Sequence, residues 1–102
     1  FCSGSGSIGR AVLQRQPETE LHLADADAFA IDAACQNLSE VASNGRCYLG
    51  DGWQAVPDNL TFDWIISNPP VHKRRQDDFS VVEALISGTA ERLRQGGRLW
   101  IV

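Results

Sequence analysis

Apolar and polar positions along this chain follow two different periods, which predict strands separated by helices. The segments 21–24, 47–49 and 62–67 are short and apolar, as is typical of strands. The third, Phe-Asp-Trp-Ile-Ile-Ser, has the nearly continuous apolar pattern of a strand buried in a parallel sheet. A last apolar run, 98–102, follows a pair of glycines and predicts the start of another strand.

Helical periodicity predicts two helices in the first half of the chain. The first covers 7–15 and ends before Pro17. The second begins after Asp27, whose short carboxylate suits an N-cap, and ends at Asn44-Gly45, which suits a left-handed C-cap. One face of this second helix is apolar at spacings of three and four residues: Ile31, Ala34, Cys35, Leu38 and Ala42.

A third helix is predicted to begin at Asp77 or Asp78 and to end at Gly96-Gly97. Arg92 and Arg94 fall in its last turn, where positive charge suits the helix dipole. Its apolar face consists of Val82, Leu85, Ile86 and Leu93. Strands that alternate with helices in this way predict an α/β fold with a parallel sheet.

Ligands of open parallel sheets bind beyond the carboxyl ends of the strands. The segments that follow the predicted strands, together with the glycine-rich opening of the chain, are therefore the candidate binding loops. These loops are 1–9, 25–27, 50–53 and 68–76.

The composition is that of one folded domain or part of one. Of the 102 residues, 43% are hydrophobic and 22% are charged, which is enough to bury a core. The three cysteines form no CxxC pair, so we expect a reducing cytoplasm and neither a disulfide framework nor a metal site. No apolar run approaches the roughly 18 residues of a membrane span, so no membrane partner is expected. The chain lacks methionine, opens in a glycine loop and stops within an apolar run, which predicts an internal piece of a longer protein.

Charge is spread unevenly along the chain. Residues 1–63 hold nine acidic and three basic residues, whereas residues 64–102 hold four acidic and six basic ones. The net charge of −4 argues against a protein that coats nucleic acid without specificity. Three consecutive cations, Lys73, Arg74 and Arg75, predict that an anionic partner meets the second half.

The first candidate binding motif is Gly4-Ser5-Gly6-Ser7-Ile8-Gly9, which matches GxGxxG. Glycine allows a sharp turn and the close approach of a ligand. Asp25 lies 21 residues beyond Gly4, where a carboxylate can accept hydrogen bonds from ribose hydroxyls. The motif fits a nicotinamide cofactor and the adenosyl group of S-adenosylmethionine equally well, and a strand-to-helix turn that merely requires glycine is a third explanation.

A more specific motif, Ser67-Asn68-Pro69-Pro70, follows the strongest predicted strand directly. Two prolines fix a rigid, extended exit from the strand. The Asn68 amide oxygen and the Pro69 carbonyl can accept both hydrogens of one exocyclic amino group, which directs the nitrogen lone pair at an electrophile. This is the geometry needed to transfer a methyl group to a planar nitrogen. The structural alternative is an Asx-type turn stiffened by prolines.

Two further loops carry weaker signals. Asp51 can accept a hydrogen bond from an adenine amino group and Trp53 can pack against a flat ring, but a solvated acid and a half-buried core tryptophan explain them equally well. The cluster His72 to Arg75 follows the prolines and is suited to substrate phosphates, with a solvated surface loop as the alternative.

Taken in order, Cys-Ser-Gly-Ser-Gly-Ser-Ile-Gly, Ala24-Asp25, Asp51 and Ser-Asn-Pro-Pro resemble the class I S-adenosylmethionine-dependent methyltransferases. More narrowly, Phe-Asp-Trp-Ile-Ile-Ser-Asn-Pro-Pro-Val-His and Gly-Gly-Arg-Leu-Trp-Ile-Val resemble the small-domain methyltransferases that modify guanine N2 of bacterial ribosomal RNA. The resemblance covers essentially the whole chain. It implies a Rossmann-like fold with helices on both faces of a mostly parallel sheet, of which residues 1–102 lack the first strand and the last strands. It also implies S-adenosyl-L-methionine as the cofactor and RNA as the partner.

The resemblance assigns roles to the residues that match the family's motifs. Asp25 is expected to bind the ribose, Ala26 the adenine ring and Asp51 the adenine amino group. The full set of expected cofactor contacts is Gly4, Ser5, Gly6, Asp25, Ala26, Asp51 and Gly52. The expected catalytic group, which holds the target amino nitrogen, is Asn68, Pro69 and Pro70. The expected substrate contacts are Val71, His72, Lys73 and Arg74.

The chain departs from the family's usual pattern at two positions in these loops. Cys2 stands where the family has a glycine, and Val71 stands where the family usually has an aromatic residue that stacks on the target base. Other functions therefore stay open: methylation of DNA adenine N6 or of a protein glutamine, and a degenerate domain that binds RNA without catalysis. Intact Asp25, Asp51 and Asn68 argue against degeneracy. A nicotinamide oxidoreductase leaves the Asn-Pro-Pro motif unexplained.

Overall fold

The structure is a computed structural model of the chain that describes residues 1–41, 44–70 and 79–102. The described helices are α1 (Ser7–Arg15), α2 (Ala28–Ser39) and α3 (Ser80–Arg92), with a short 3-10 helix at Gly52–Ala55. The described strands are β1 (Leu21–Asp25), β2 (Gly45–Leu49), β3 (Phe62–Ser67) and β4 (Leu93–Ile101). Within these ranges, no helix has the length and apolar character needed to cross a membrane.

The strands form two parallel pairs. β1 pairs with β2 from Leu21 opposite Gly45 to Asp25 opposite Leu49, and β3 pairs with β4. Each pair is joined through a helix, as parallel strands require, because a tight turn cannot return the chain to the same end of the sheet. The predicted α/β class with parallel strands is therefore confirmed.

The beginning of the chain runs between the two strand pairs. Ser3 N donates to Ala24 O of β1 at 3.0 Å, and the Phe1 nitrogen donates to Ile66 O of β3 at 3.5 Å. Residues of β1 and β3 also line one shared cavity of about 650 Å³. The His22 ring spans part of it, with its centre 5.3 Å from the centre of the Phe62 ring. These contacts bring the carboxyl ends of β1 and β3 to the same edge of the molecule.

The apolar face of α2 forms the main core with α1 and β1. Its buried members are Leu13, Leu23, Ile31, Ala34 and Leu38. Burying each leucine or isoleucine side chain contributes about 1.5–3 kcal/mol to stability. Asp27 is confirmed as the N-cap, because its carboxylate accepts hydrogen bonds from Phe29 N and Ala30 N. Cys35, predicted on the same face, is exposed, and Ala42 lies outside the described residues.

The predicted end of α2 at Asn44-Gly45 is wrong. The helix ends at Ser39, with Glu40 as its C-cap, and Gly45 is the first residue of β2. A Cβ on Gly45 would lie 2.8 Å from Leu38 Cδ1, so β2 passes close to the core face of α2 and a larger residue here would displace the Leu38 side chain.

The predicted boundary between the third helix and the last strand is also wrong. α3 ends at Arg92, and β4 begins at once with Leu93, which is paired with Phe62. The register shifts before Trp64 pairs with Arg98, so the Gly96-Gly97 pair lies in an irregular stretch of β4 and does not end a helix. Ile86, predicted to be apolar core, is 53% exposed, and Thr89 and Arg92 occupy the buried positions after Leu85. The predicted caps Asp77 and Asp78 lie outside the described residues.

Candidate active site

A second cavity, of about 760 Å³, lies at the carboxyl ends of the strands. Its volume is in the range typical of small-molecule sites. Four loops that are distant in sequence meet there, as expected for ligand sites of parallel sheets. The predicted site residues that line it are Gly4, Ser5, Asp25, Ala26, Asp51, Gly52, Asn68, Pro69 and Pro70.

Gly6 is not among the residues that line the cavity. It is buried, and a Cβ at this position would lie 3.0 Å from Leu23 Cδ1 and 3.4 Å from the Ala34 side chain. Its φ of 82° is one that glycine adopts without strain. The structure therefore places Gly6 as the residue that lets the glycine loop pack against β1 and α2. The remaining predicted residues, Val71, His72, Lys73 and Arg74, lie outside the described residues, as does Arg75.

The glycine loop is tied to the end of β1 through Asp25. Gly4 N donates to Asp25 Oδ2 at 2.7 Å, and Asp27 N donates to Asp25 Oδ1 at 2.9 Å. Each carboxylate oxygen therefore accepts one backbone hydrogen bond and retains a second lone pair. Gly4 has no atom within 4 Å of the position where a Cβ would stand, so this side of the loop is open to a ligand.

The loop after β2 contributes Asp51 and Gly52. Asp51 is exposed, and Gly52 has a φ of 60°. Trp53, which follows them, does not line this cavity: its Nε1 donates to Leu85 O of α3 at 3.2 Å, and its ring lies 5.4 Å from that of Phe1. Of the two explanations for Trp53, the half-buried packing residue is the one that the structure supports.

The Asn-Pro-Pro segment leaves the end of β3 with its residues alternating in exposure. Pro69 is buried, whereas Asn68 and Pro70 are exposed. Ser67 O accepts a hydrogen bond from Val102 N at 2.9 Å, which ties the start of the segment to the residue that follows the neighbouring strand β4. The Asn68 carboxamide makes no hydrogen bond to any residue that the structure describes, so it is available to a ligand in the cavity that it lines.

The cavity also has lining residues outside the predicted set of site residues. Phe1, Cys2, Ile8 and Asp27 lie within the predicted binding loops 1–9 and 25–27, so their proximity was accessible from the topology. Ala30 and Val81 lie outside these loops. Val81 comes from the first turn of α3, and no local signal in the sequence distinguishes it from the apolar positions that face the core.

Cys2 lies in the wall of the cavity with a φ of 50°. This left-handed conformation is costly for residues other than glycine, which accounts for the glycine of the resembled family at this position. Burial raises the pKa of the Cys2 thiol, although the nearby Ser67 hydroxyl lowers it in part. Ser67 is 1% exposed, and its hydroxyl makes no well-aligned hydrogen bond to any residue that the structure describes. A neutral, poorly nucleophilic thiol at physiological pH follows.

We expect the variant Cys2→Gly to be more stable than Cys2→Ala by about 1 kcal/mol, because both lose the thiol but only alanine keeps the left-handed strain. In ordinary helix or strand interiors the order is the reverse, since glycine loses more backbone entropy on folding. Urea unfolding of the two variants measures the difference. Equal stabilities, or a more stable alanine variant, would show that the backbone at Cys2 is unstrained.

Comparisons with known proteins identify the family of the chain. Residues 1–102 match the family described as "Methyltransferase small domain". The chain is 36% identical over 102 residues to the ribosomal RNA small subunit methyltransferase C of Pseudomonas entomophila (strain L48). It is 35% identical over the same length to the protein of that name from Pseudomonas aeruginosa (strain LESB58).

Each alignment covers 100% of this chain but 30% of the relative, so the chain spans about a third of the length of these relatives. The resemblance stated from the motifs is thereby confirmed: the chain belongs to the methyltransferase small domain family.

Proposed function

We propose that the protein transfers a methyl group from S-adenosylmethionine to an exocyclic amino nitrogen, that of guanine N2 in ribosomal RNA. Residues 1–102 are, in this proposal, part of a class I catalytic domain whose sheet includes further strands. The observation that carries the proposal is the convergence of Gly4, Asp25, Asp51 and Asn68-Pro69 on one cavity. The relatives named as ribosomal RNA small subunit methyltransferases support the choice of RNA.

The polar groups of the cavity fit the cofactor's adenosine half. Asp25 has a free lone pair on each carboxylate oxygen, which suits two neighbouring ribose hydroxyls. Asp51, exposed on the facing loop, suits the adenine amino group, and the open side of Gly4 leaves room for the chain of the methionine part. S-adenosylmethionine, when bound, supplies a methyl group already activated by its positively charged sulfur.

The protein's own part in the transfer is alignment. Asn68 is exposed and free to accept one hydrogen of the target amino group through its amide oxygen. Buried Pro69 fixes the backbone, so that its carbonyl is held to accept the second hydrogen. Two acceptors in fixed positions hold the nitrogen lone pair in one direction. Positioning of this kind lowers the barrier because the reacting atoms no longer have to find each other. As the nitrogen–methyl bond forms, the sulfur–methyl bond breaks with its electron pair left on sulfur, and the proton that the nitrogen then loses passes to water.

The cations that follow the Asn-Pro-Pro segment are proposed to hold RNA phosphates. We expect the triple variant Lys73→Ala, Arg74→Ala, Arg75→Ala to weaken RNA binding. The log–log dependence of affinity on salt should flatten by about 0.7–0.9 for each phosphate contact that is lost. Fluorescence anisotropy of a labelled RNA at several salt concentrations measures both quantities.

The matched control removes three cations from the other half of the chain. Arg10, Arg15 and Arg46 are exposed, and their triple alanine variant loses the same net charge. We expect its salt slope to stay close to that of the wild type. If the two triple variants flatten the slope equally, the effect belongs to overall charge and the assignment to residues 73–75 is wrong.

Calorimetry of the full-length protein with S-adenosylhomocysteine and with NAD tests the proposed function at its first step. We expect binding of S-adenosylhomocysteine and none of NAD; the reverse would make the protein a dinucleotide enzyme. Tritiated methyl incorporation then compares unmodified ribosomal RNA with DNA and with a glutamine-containing protein substrate. Incorporation into guanine N2 of the RNA supports the proposal. Cofactor binding without transfer to any of the three would favour a degenerate RNA-binding domain.

A further inference from the structure

Arg92, in the last turn of α3, carries a buried positive charge that has no role in the proposed alignment of the target nitrogen. It is 7% exposed and is the one charged residue that is buried within the part of the chain that the structure describes. Its guanidinium donates to Pro57 O at 2.7 Å and to Asp58 Oδ1 at 3.0 Å, and it lies 3.5 Å from Val56 O. The Asp58 side chain is fully exposed, so this ion pair contributes little, since water screens it. Backbone carbonyls are therefore the main partners of Arg92.

The same face of α3 receives the indole of Trp53. The Arg92 guanidinium carbon lies 5.3 Å from the centre of the indole, within the range of a cation–π interaction. Trp53 Nε1 donates to Leu85 O, and a Cβ on Gly88 would collide with the indole. Glycine inside a helix costs about 1 kcal/mol relative to alanine, and this close approach is the reason for it here. We call Leu85, Gly88 and Arg92 the tryptophan notch.

Trp53 also contacts a residue in the wall of the candidate site. Its ring packs at 5.4 Å against the Phe1 ring, with the two planes tilted by 44°. The Phe1 ring in turn lies 3.6 Å from the position that a Cβ would occupy on Gly52. Phe1, Asp51 and Gly52 all line the cavity. A continuous path of contacts therefore leads from α3 through Trp53 to the loop proposed to hold adenine.

We propose that Arg92 is a positioning residue for the cofactor: through Trp53, the tryptophan notch holds Asp51 and Gly52 in the geometry that binds adenine. The inference rests on the proposed function, because it takes the ligand of this loop to be S-adenosylmethionine. Lysine cannot replace Arg92 here, since a single ammonium group lacks the planar fork that reaches two carbonyls and a ring face together.

The test uses the full-length protein with Arg92→Lys and Arg92→Met. We expect the Kd for S-adenosylhomocysteine, measured by calorimetry, to rise on the order of tenfold, the effect of losing about one hydrogen bond to the ligand. The KM for S-adenosylmethionine should rise by a similar factor. At saturating cofactor, kcat and the KM for RNA should stay within about twofold of the wild type, because the Asn-Pro-Pro segment is built from other residues.

The matched control is Arg94→Met. Arg94 has the same side chain two residues away, and its ion pair with Asp63 at 2.8 Å is exposed and does not touch Trp53. We expect its Kd for S-adenosylhomocysteine to equal that of the wild type.

Two further variants test the inference if the Arg92 variants do not fold. Trp53→Phe removes the donor to Leu85 O but keeps an aromatic ring, and Gly88→Ala displaces the indole; each should raise the Kd severalfold.

The outcomes separate this inference from the proposed function. If the wild type binds S-adenosylhomocysteine and the notch variants bind it equally well, the inference about Arg92 is overturned while the proposed function stands. A lowered kcat with an unchanged cofactor KM also overturns it, since Arg92 would then act on the transfer step. Equal losses in the notch variants and in Arg94→Met would assign the effect to general destabilisation. No binding by the wild type overturns the proposed function itself.

Discussion

Asn68→Ala should abolish most methyl transfer while leaving the cofactor site intact. The substitution removes the side-chain acceptor but leaves the Pro69 carbonyl, so the target nitrogen is held by one acceptor where two are needed. Loss of one such aligning hydrogen bond commonly lowers the rate on the order of 10²–10³-fold. The affinity for S-adenosylhomocysteine should change little, because the proposed cofactor contacts lie on the loops after β1 and β2 and on the glycine loop.

Asn68→Asp sharpens this experiment because it keeps the shape of the side chain and an acceptor oxygen. The expected order of rates is Asn, then Asp, then Ala, measured by tritiated methyl incorporation into unmodified ribosomal RNA. Asn59→Ala is the control: Asn59 is an exposed asparagine that does not line the site cavity. Wild-type turnover in Asn68→Ala would leave Asn-Pro-Pro as a rigid turn without a catalytic role.

The second large effect is expected at Asp25, where alanine should weaken S-adenosylmethionine binding by one to two orders of magnitude. Hydrogen bonds to a charged group contribute roughly 1.5–3 kcal/mol, and the two ribose hydroxyls would lose theirs. The structure adds a second cause, because Gly4 N and Asp27 N would also lose the acceptor that fixes the glycine loop.

Asp25→Asn separates these two causes. The amide oxygen keeps one backbone hydrogen bond, but the charge is gone and one oxygen is replaced by a donor group. We expect its affinity to lie between those of the wild type and the alanine variant in calorimetry with S-adenosylhomocysteine. Asp32→Asn, on the exposed side of α2 where the carboxylate contacts Gln36, should bind as the wild type does. Unchanged affinity in a folded Asp25→Ala protein would show that Asp25 is not the ribose ligand.

The sequence predicted those features of the fold that depend on local pattern. The strand β3, the N-cap at Asp27 and the helix at Ser7–Arg15 each follow from neighbouring residues, and each is present. The burial expected along β3 is only partial, since Trp64 is 50% exposed. The meeting of the binding loops followed from a topological rule, since parallel strands place their carboxyl ends at one edge. Most of the candidate site was accessible by this route.

The errors arose where a residue's role depends on a distant partner. Gly45 has the residue type of a helix cap, but it is the first residue of β2, where it pairs with Leu21 of β1. Arg94, predicted in the last turn of the third helix, lies in β4 because Leu93 already pairs with Phe62 of β3. The cofactor role of Gly6 stays a prediction, but its packing against Leu23 is another contact that local spacing did not indicate. Local spacing contains no information about any of these contacts.

The order of the elements along the chain has a consequence for how the candidate site is assembled. β1 and β2 are connected through α2, and β3 and β4 through α3, so each pair is assembled from one continuous stretch of chain. Asp25 and Asp51 come from the first stretch and the loop after it, whereas Asn68 and Val81 come from the second. The site is therefore complete only when both stretches have folded and docked. A ligand that contacts both stretches binds the folded domain and not the unfolded chain, so its binding energy adds to the stability of the domain.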